Sequence, residues 1–148
     1  MFEASGMEPG SFEAYPSLPA DELFKAKDHL YKSLAIIEEQ LSSFEEGIYD
    51  ALQATSDLSE CWLQVNKCRL YTENILAFEE CLQPAMGLIY DAKCMVDHLA
   101  AEKMGLTRHG RISIMQALRE AAELIAMVLR DLEFWDSEEE KEEEESPK

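Results

Sequence analysis

Residues 113–135, Ser113 to Trp135, read SIMQALREAAELIAMVLRDLEFW. Met115, Leu118, Ala122, Ile125, Leu129 and Leu132 recur at alternating spacings of three and four, which places them on one stripe of an α-helix. Ile114, Ala117, Ala121, Leu124, Ala126, Met127 and Val128 widen that stripe. The polar seam left is narrow: Gln116, Arg119, Glu120, Glu123, Arg130 and Glu133. A helix this apolar is expected at the centre of a bundle or under a partner.

Upstream, the same 3-4 rhythm recurs. Leu23, Leu30, Ile37, Phe44 and Ala51 stand seven apart, with Leu34, Leu41 and Ile48 four residues after them, so a long first helix is predicted from near Ser17. Pro19 falls in its first turn, with Asp21 and Glu22 where the helix dipole favours negative charge. Lys27 and Thr55 hold weak seam positions, and Gly47 reads as an interior glycine marking a close approach or bend. Thr55-Ser56-Asp57 with Glu60 resembles a capping box, so the first break is expected there. A second helix then carries Leu58, Cys61, Val65, Cys68, Tyr71, Ile75, Phe78 and Leu82, flanked by Trp62, Leu63 and Leu70.

Gln83-Pro84 is expected to end or kink that helix, because proline donates no backbone hydrogen bond and clashes with the preceding turn. The third helix carries Leu88, Ala92, Met95 and Leu99, and Gly105-Leu106 has the form of a Schellman cap. Thr107 to Arg111 reads as a connecting loop. Ser113 then caps the fourth helix, with Gln116 completing a capping box and Ile112 packing on Ala117 as a staple. The predicted fold is all-α: an elongated antiparallel four-helix bundle over residues 19–136, or a three-helix bundle kinked at Pro84.

Residues 1–18 lack apolar periodicity and read as a flexible lead-in, in which Phe2-Glu3-Ala4 and Phe12-Glu13-Ala14 repeat a small pattern. Residues 137–148 hold no apolar residue to bury and read as a disordered acidic tail. Ser137 precedes a run of glutamates and Ser146 precedes a proline, both contexts that kinases use.

Charge narrows the function. The chain carries 31 acidic and 13 basic residues, a net charge of −18. Residues 136–148 account for −6 of it, with 8 acidic and 2 basic residues, which leaves −12 in the body. Nucleic-acid binding draws its affinity from cations neutralising phosphates, so no direct nucleic-acid partner is expected. The most apolar run, 121–129, is interrupted by Glu123 and falls far short of the roughly 20 residues a membrane span needs. With no import signal visible near the N-terminus, a cytoplasmic or nuclear location is expected. The four cysteines, Cys61, Cys68, Cys81 and Cys94, form no CxxC pair and read as buried free thiols.

Catalytic motifs are wanting. None of His29, His98 and His109 follows a glutamate by three residues, and no phosphate-binding loop or nucleophile elbow occurs. Asp91, Cys94 and His98, at i, i+3 and i+7, are the best metal candidates, with a fourth ligand from Cys61 or Cys68. A partly buried cysteine between polar residues explains the same letters, so neither metal nor cofactor is expected. Arg108 and Arg111 form the one concentrated basic patch, suited to an acidic segment, a phosphate or the end of the third helix. Leu124 and Val128 flank the main stripe of the fourth helix and are candidates for contact with a partner.

The expected function is a non-catalytic interaction or adaptor subunit that binds helical partners on an apolar bundle face, with self-association a further use of that face. The alternative is a chaperone for basic proteins of the histone or ribosomal kind, working through the tail and acidic body. A metal-dependent enzyme at Asp91, Cys94 and His98 ranks last.

Overall fold

The computed structural model describes residues 18–47, 49–101 and 108–145, and side chains over 18–47, 49–98 and 108–135. Residues 1–17 of the lead-in, Ile48, the Gly105-Leu106 cap, Thr107, the side chains of Leu99 and Ser137, and residues 146–148 lie outside these. Four α-helices follow in order: α1 Ala20–Glu46, α2 Ala51–Tyr71, α3 Leu76–Ala101 and α4 Arg108–Glu145. Each packs on the next, and α4 closes the ring on α1. Pairings across the seams run in opposite senses: Gln40 meets Asp57 and His29 meets Gln64, while Thr55 meets Asp97 and Arg69 meets Glu79. Tyr31 with Glu133, and Phe44 with Arg111, complete the antiparallel bundle.

The helix count matches the sequence reading, but two corners sit elsewhere. The first is at Gly47, not Thr55–Asp57. Gly47 ends α1 in the left-handed conformation (φ 75°), its N–H donating to the Phe44 carbonyl at 3.3 Å. Asp50 then caps α2, its carboxylate accepting from the Leu52 and Gln53 amides at 3.0 and 3.5 Å. Asp57 lies inside α2, where it accepts from the Gln40 and Gln53 side-chain amides, both at 2.9 Å.

The second corner is at Thr72–Ile75, not Gln83-Pro84. Thr72 Oγ1 donates to the Cys68 carbonyl at 3.2 Å, and the Ile75 amide to the Thr72 carbonyl at 3.0 Å. The 3-4 rhythm conceals this turn because Thr72 and Ile75 are both buried on the same stripe. Pro84 instead lies within α3 on its exposed side, where it forfeits the donor to the Glu80 carbonyl without ending the helix.

α4 begins at Arg108, so Ser113 lies inside the helix and does not cap it, and Ile112 is exposed and forms no staple. The helical backbone continues past Trp135, where the apolar pattern stops, and covers 137–145 of the segment expected to be a disordered tail. Glutamate and lysine are good helix formers, which favours continuation without burial.

Leu23, Leu30, Ile37 and Phe44 are buried as expected, but the row completing the α1 stripe is Ala26, Ser33 and Gln40, with Leu34 and Leu41 packed at its edge. In α4 the most enclosed row is Ile114, Leu118, Ala121, Ile125, Val128 and Leu132, rotated from the stripe read in sequence. α4 is not a central helix. It packs mainly on α1 and α3, so its wide apolar arc is left incompletely covered.

Candidate functional site

That uncovered arc faces a groove between α3 and α4, of about 510 Å³, lined by Pro84, Gly87, Leu88 and Asp91 on one side and Glu120, Glu123, Leu124 and Met127 on the other. Leu88 and Leu124 are half-buried in its floor, and Met127 is 49% exposed. Gly87 widens the groove, since a Cβ there would meet no atom within 4 Å. Carboxylates stand on both walls: Asp91 on α3, Glu120 and Glu123 on α4. Farther along the seam, Cys81 feels two more. Burial pushes its thiol up, and the carboxylates of Asp131 and Glu80 push it further.

On the opposite flank of α3 lies a smaller hollow of about 280 Å³, lined by Leu58, Ser59, Trp62, Leu63, Tyr90 and Lys93. Leu63 is 44% and Tyr90 55% exposed at its rim. Leu70, two helical turns beyond Leu63, and Leu52, three turns before it, are exposed on the same side of α2, with Ser56, Ser59, Asn66 and Lys67 between them.

The residues singled out in the sequence divide between surface and interior. Leu124 lines the α3–α4 groove, but Val128 is 1% exposed and belongs to the core, so it presents no face to a partner. Arg108 is exposed on the first turn of α4. Arg111 reaches α1: its Nη1 donates to the Phe44 carbonyl at 2.9 Å, placing a cation at the negative end of the α1 dipole.

Asp91, Cys94 and His98 all lie exposed on α3. Cys94 is therefore not partly buried; it occupies the solvent side between the core positions Ala92 and Val96. Cys81 is half-buried. Cys61 and Cys68 are the fully buried pair, and burial pushes both thiols up to about 12, aided at Cys61 by the Glu60 carboxylate. Such thiols stay protonated at neutral pH. Among the described residues, no group of three His, Cys, Asp or Glu side chains is placed to hold a metal ion, and no helix is long and apolar enough to cross a membrane.

Other polar groups are engaged in the seams. His29 Nδ1 pairs with Gln64 Oε1 at 2.7 Å and its ring stacks on Tyr71, while Gln64 Nε2 donates to Glu60 at 2.6 Å. Arg69 and Gln83 both donate to Glu79 Oε2, at 3.2 and 2.9 Å. What the sequence did not reveal is the pairing of surfaces across seams. Trp62 and Leu63 read only as flanking residues, and nothing in the letters brought Tyr90 to them or set Asp91 opposite Glu120 and Glu123. Comparison with protein-family models, with curated proteins and with solved structures gives no match, and the site is read from the chain's own residues.

Proposed function

We propose that this chain is a non-catalytic helical interaction module that holds a partner's helix on the outer face shared by α2 and α3. The observation that carries this reading is the apolar hollow rimmed by Leu63 and Tyr90 over Trp62, with Leu52 and Leu70 also exposed on that side of α2. Trp62 packs against the core, whereas Leu52, Leu63, Leu70 and Tyr90 are exposed large hydrophobic residues outside it. Contiguous apolar surface on a monomer marks a contact site, and aromatic side chains beside a pocket are the usual anchors of one. A shallow trough between two helices also suits the apolar stripe of a third.

The test is affinity capture from the protein's own cells by the full chain and by a Leu63→Glu/Tyr90→Ser variant. Both positions are exposed, so circular dichroism of the variant is expected to match that of the parent. A protein retained by the parent at about 1 M salt, where screening acts beyond about 3 Å, and lost by the variant supports the reading. Retention of the same proteins by the variant refutes it.

A further inference from the structure

The groove between α3 and α4 offers a different chemistry from the α2–α3 hollow, on the other flank of the same helix. Its floor is apolar, from Leu88, Leu124 and Met127, and its charged lining is carboxylate on both walls, Asp91 facing Glu120 and Glu123. Among the described residues, no lysine or arginine lines it. Glu80 and Asp131, which act together on Cys81, carry the acidic border farther along the seam. We infer that this groove binds a basic amphipathic helix, with an apolar stripe on Leu88, Leu124 and Met127 and lysine or arginine along both edges.

Charge selects that occupant over the alternatives within the chain. A second copy carries −18, and residues 1–17 hold Glu3, Glu8 and Glu13 with no basic residue, so either brings like charge to three carboxylates. Carboxylates on both walls require cations on both sides of the incoming stripe, which an amphipathic helix supplies at positions flanking i, i+4 and i+7. Ten residues of α3 separate Cys81 from Asp91, about 15 Å of helix, so the seam matches two to three turns of a partner. Met127 suits such a contact, since its thioether is unbranched and adapts to differing side chains. This site is independent of the α2–α3 reading, and either can fail alone.

The experiment uses the full chain and a fluorescein-labelled peptide of 18 residues, roughly five helical turns, made only of leucine and lysine with leucine on one helical stripe. Anisotropy is expected to show binding at least about tenfold tighter than for a scrambled peptide of the same composition, and none for a leucine–glutamate version. The triple variant Asp91→Asn/Glu120→Gln/Glu123→Gln is expected to weaken binding about tenfold or more, and Met127→Lys to weaken it as well. Neutralising three exposed carboxylates of α1, by Glu38→Gln/Glu39→Gln/Glu45→Gln, is expected to change it less than about threefold, as is Leu63→Glu. Equal loss in the α3–α4 and α1 triple variants, equal binding of the scrambled peptide, or no binding of the leucine–lysine peptide overturns the inference. Should the groove triple variant lose its fold, Met127→Lys decides alone: unchanged affinity rejects the site.

Discussion

The hairpin of α1 and α2 and the hairpin of α3 and α4 are built on opposite terms. Of the four buried polar residues among the described positions, Ser33, Gln40 and Gln64 belong to the first, and Thr72 sits at the corner between the two. There Gln40 reaches Asp57, Gln64 joins His29 to Glu60, and the Cys61 thiol donates to the Ser33 carbonyl at 3.5 Å. Among the described residues the second hairpin buries only apolar side chains, with small Ala85, Ala92, Ala117 and Ala121 among larger ones and the Phe78 and Trp135 rings 5.3 Å apart. A hydrogen-bonded pair is satisfied in one register alone, whereas an apolar stripe tolerates sliding. The first hairpin is thus specified by pairing and the second by burial, and the second carries the apolar surplus that opens onto the α3–α4 groove.

The sharpest attempt to break this contrast is Ile125→Asp. A lone carboxylate in a dry interior costs several kcal/mol, against the roughly 5–15 kcal/mol that holds a typical domain together. The variant is expected to lose its cooperative melt by circular dichroism; a retained melt would mean that the interior of α4 is not closed. Thiol reactivity separates the hairpins next. At pH 8, iodoacetamide followed by mass spectrometry is expected to label exposed Cys94 of the second hairpin readily. Cys61 and Cys68 of the first should react on the order of 10³-fold more slowly, through unfolding alone. Both buried thiols ionise near 9.0 when solvated and near 12 in the fold, so their contribution to stability is whole below pH 9 and is lost as pH rises toward 12. Urea midpoints measured across that range check the direction.

A smaller effect is expected from Gln40→Ala, which takes from Asp57 its partner on α1 and should cost about 1–3 kcal/mol in urea titration. The matched change in the second hairpin, Gln116→Ala at an exposed site, should stay within about 0.5 kcal/mol. Equal costs would erase the distinction between pairing and burial. Smallest of all is deletion of residues 137–148, which hold no apolar side chain and should leave the melting midpoint within about 2 °C.

The helical bundle was legible because burial writes a 3-4 rhythm, and Leu23, Leu30, Ile37 and Phe44 obey it without exception. The corners were not, because the rhythm passes through them: Phe44 and Ala51 keep heptad spacing across Gly47, and Cys68, Thr72 and Ile75 keep it across the second turn. Capping letters misled for a related reason, since Asp57 and Ser113 are as well used inside a helix as at its end. Of the candidate site, Leu124 was legible as a residue beside the stripe. Val128 was not separable from it, because one helix alone does not say which edge its neighbours cover. The α2–α3 hollow and the facing carboxylates are products of packing between helices, and no single segment encodes them.

What Gly47 selects at its corner is handedness rather than size. A Cβ built there would meet only Arg111 Nη1, at 3.5 Å, an ordinary contact, so space does not exclude a side chain. The exclusion comes from φ 75°, which opposes L-residues by roughly 1 kcal/mol and is the natural basin of their mirror images. A synthetic chain with D-alanine at this corner would therefore hold the α1–α2 hairpin more firmly than glycine does, by narrowing the unfolded ensemble, while L-alanine would loosen it.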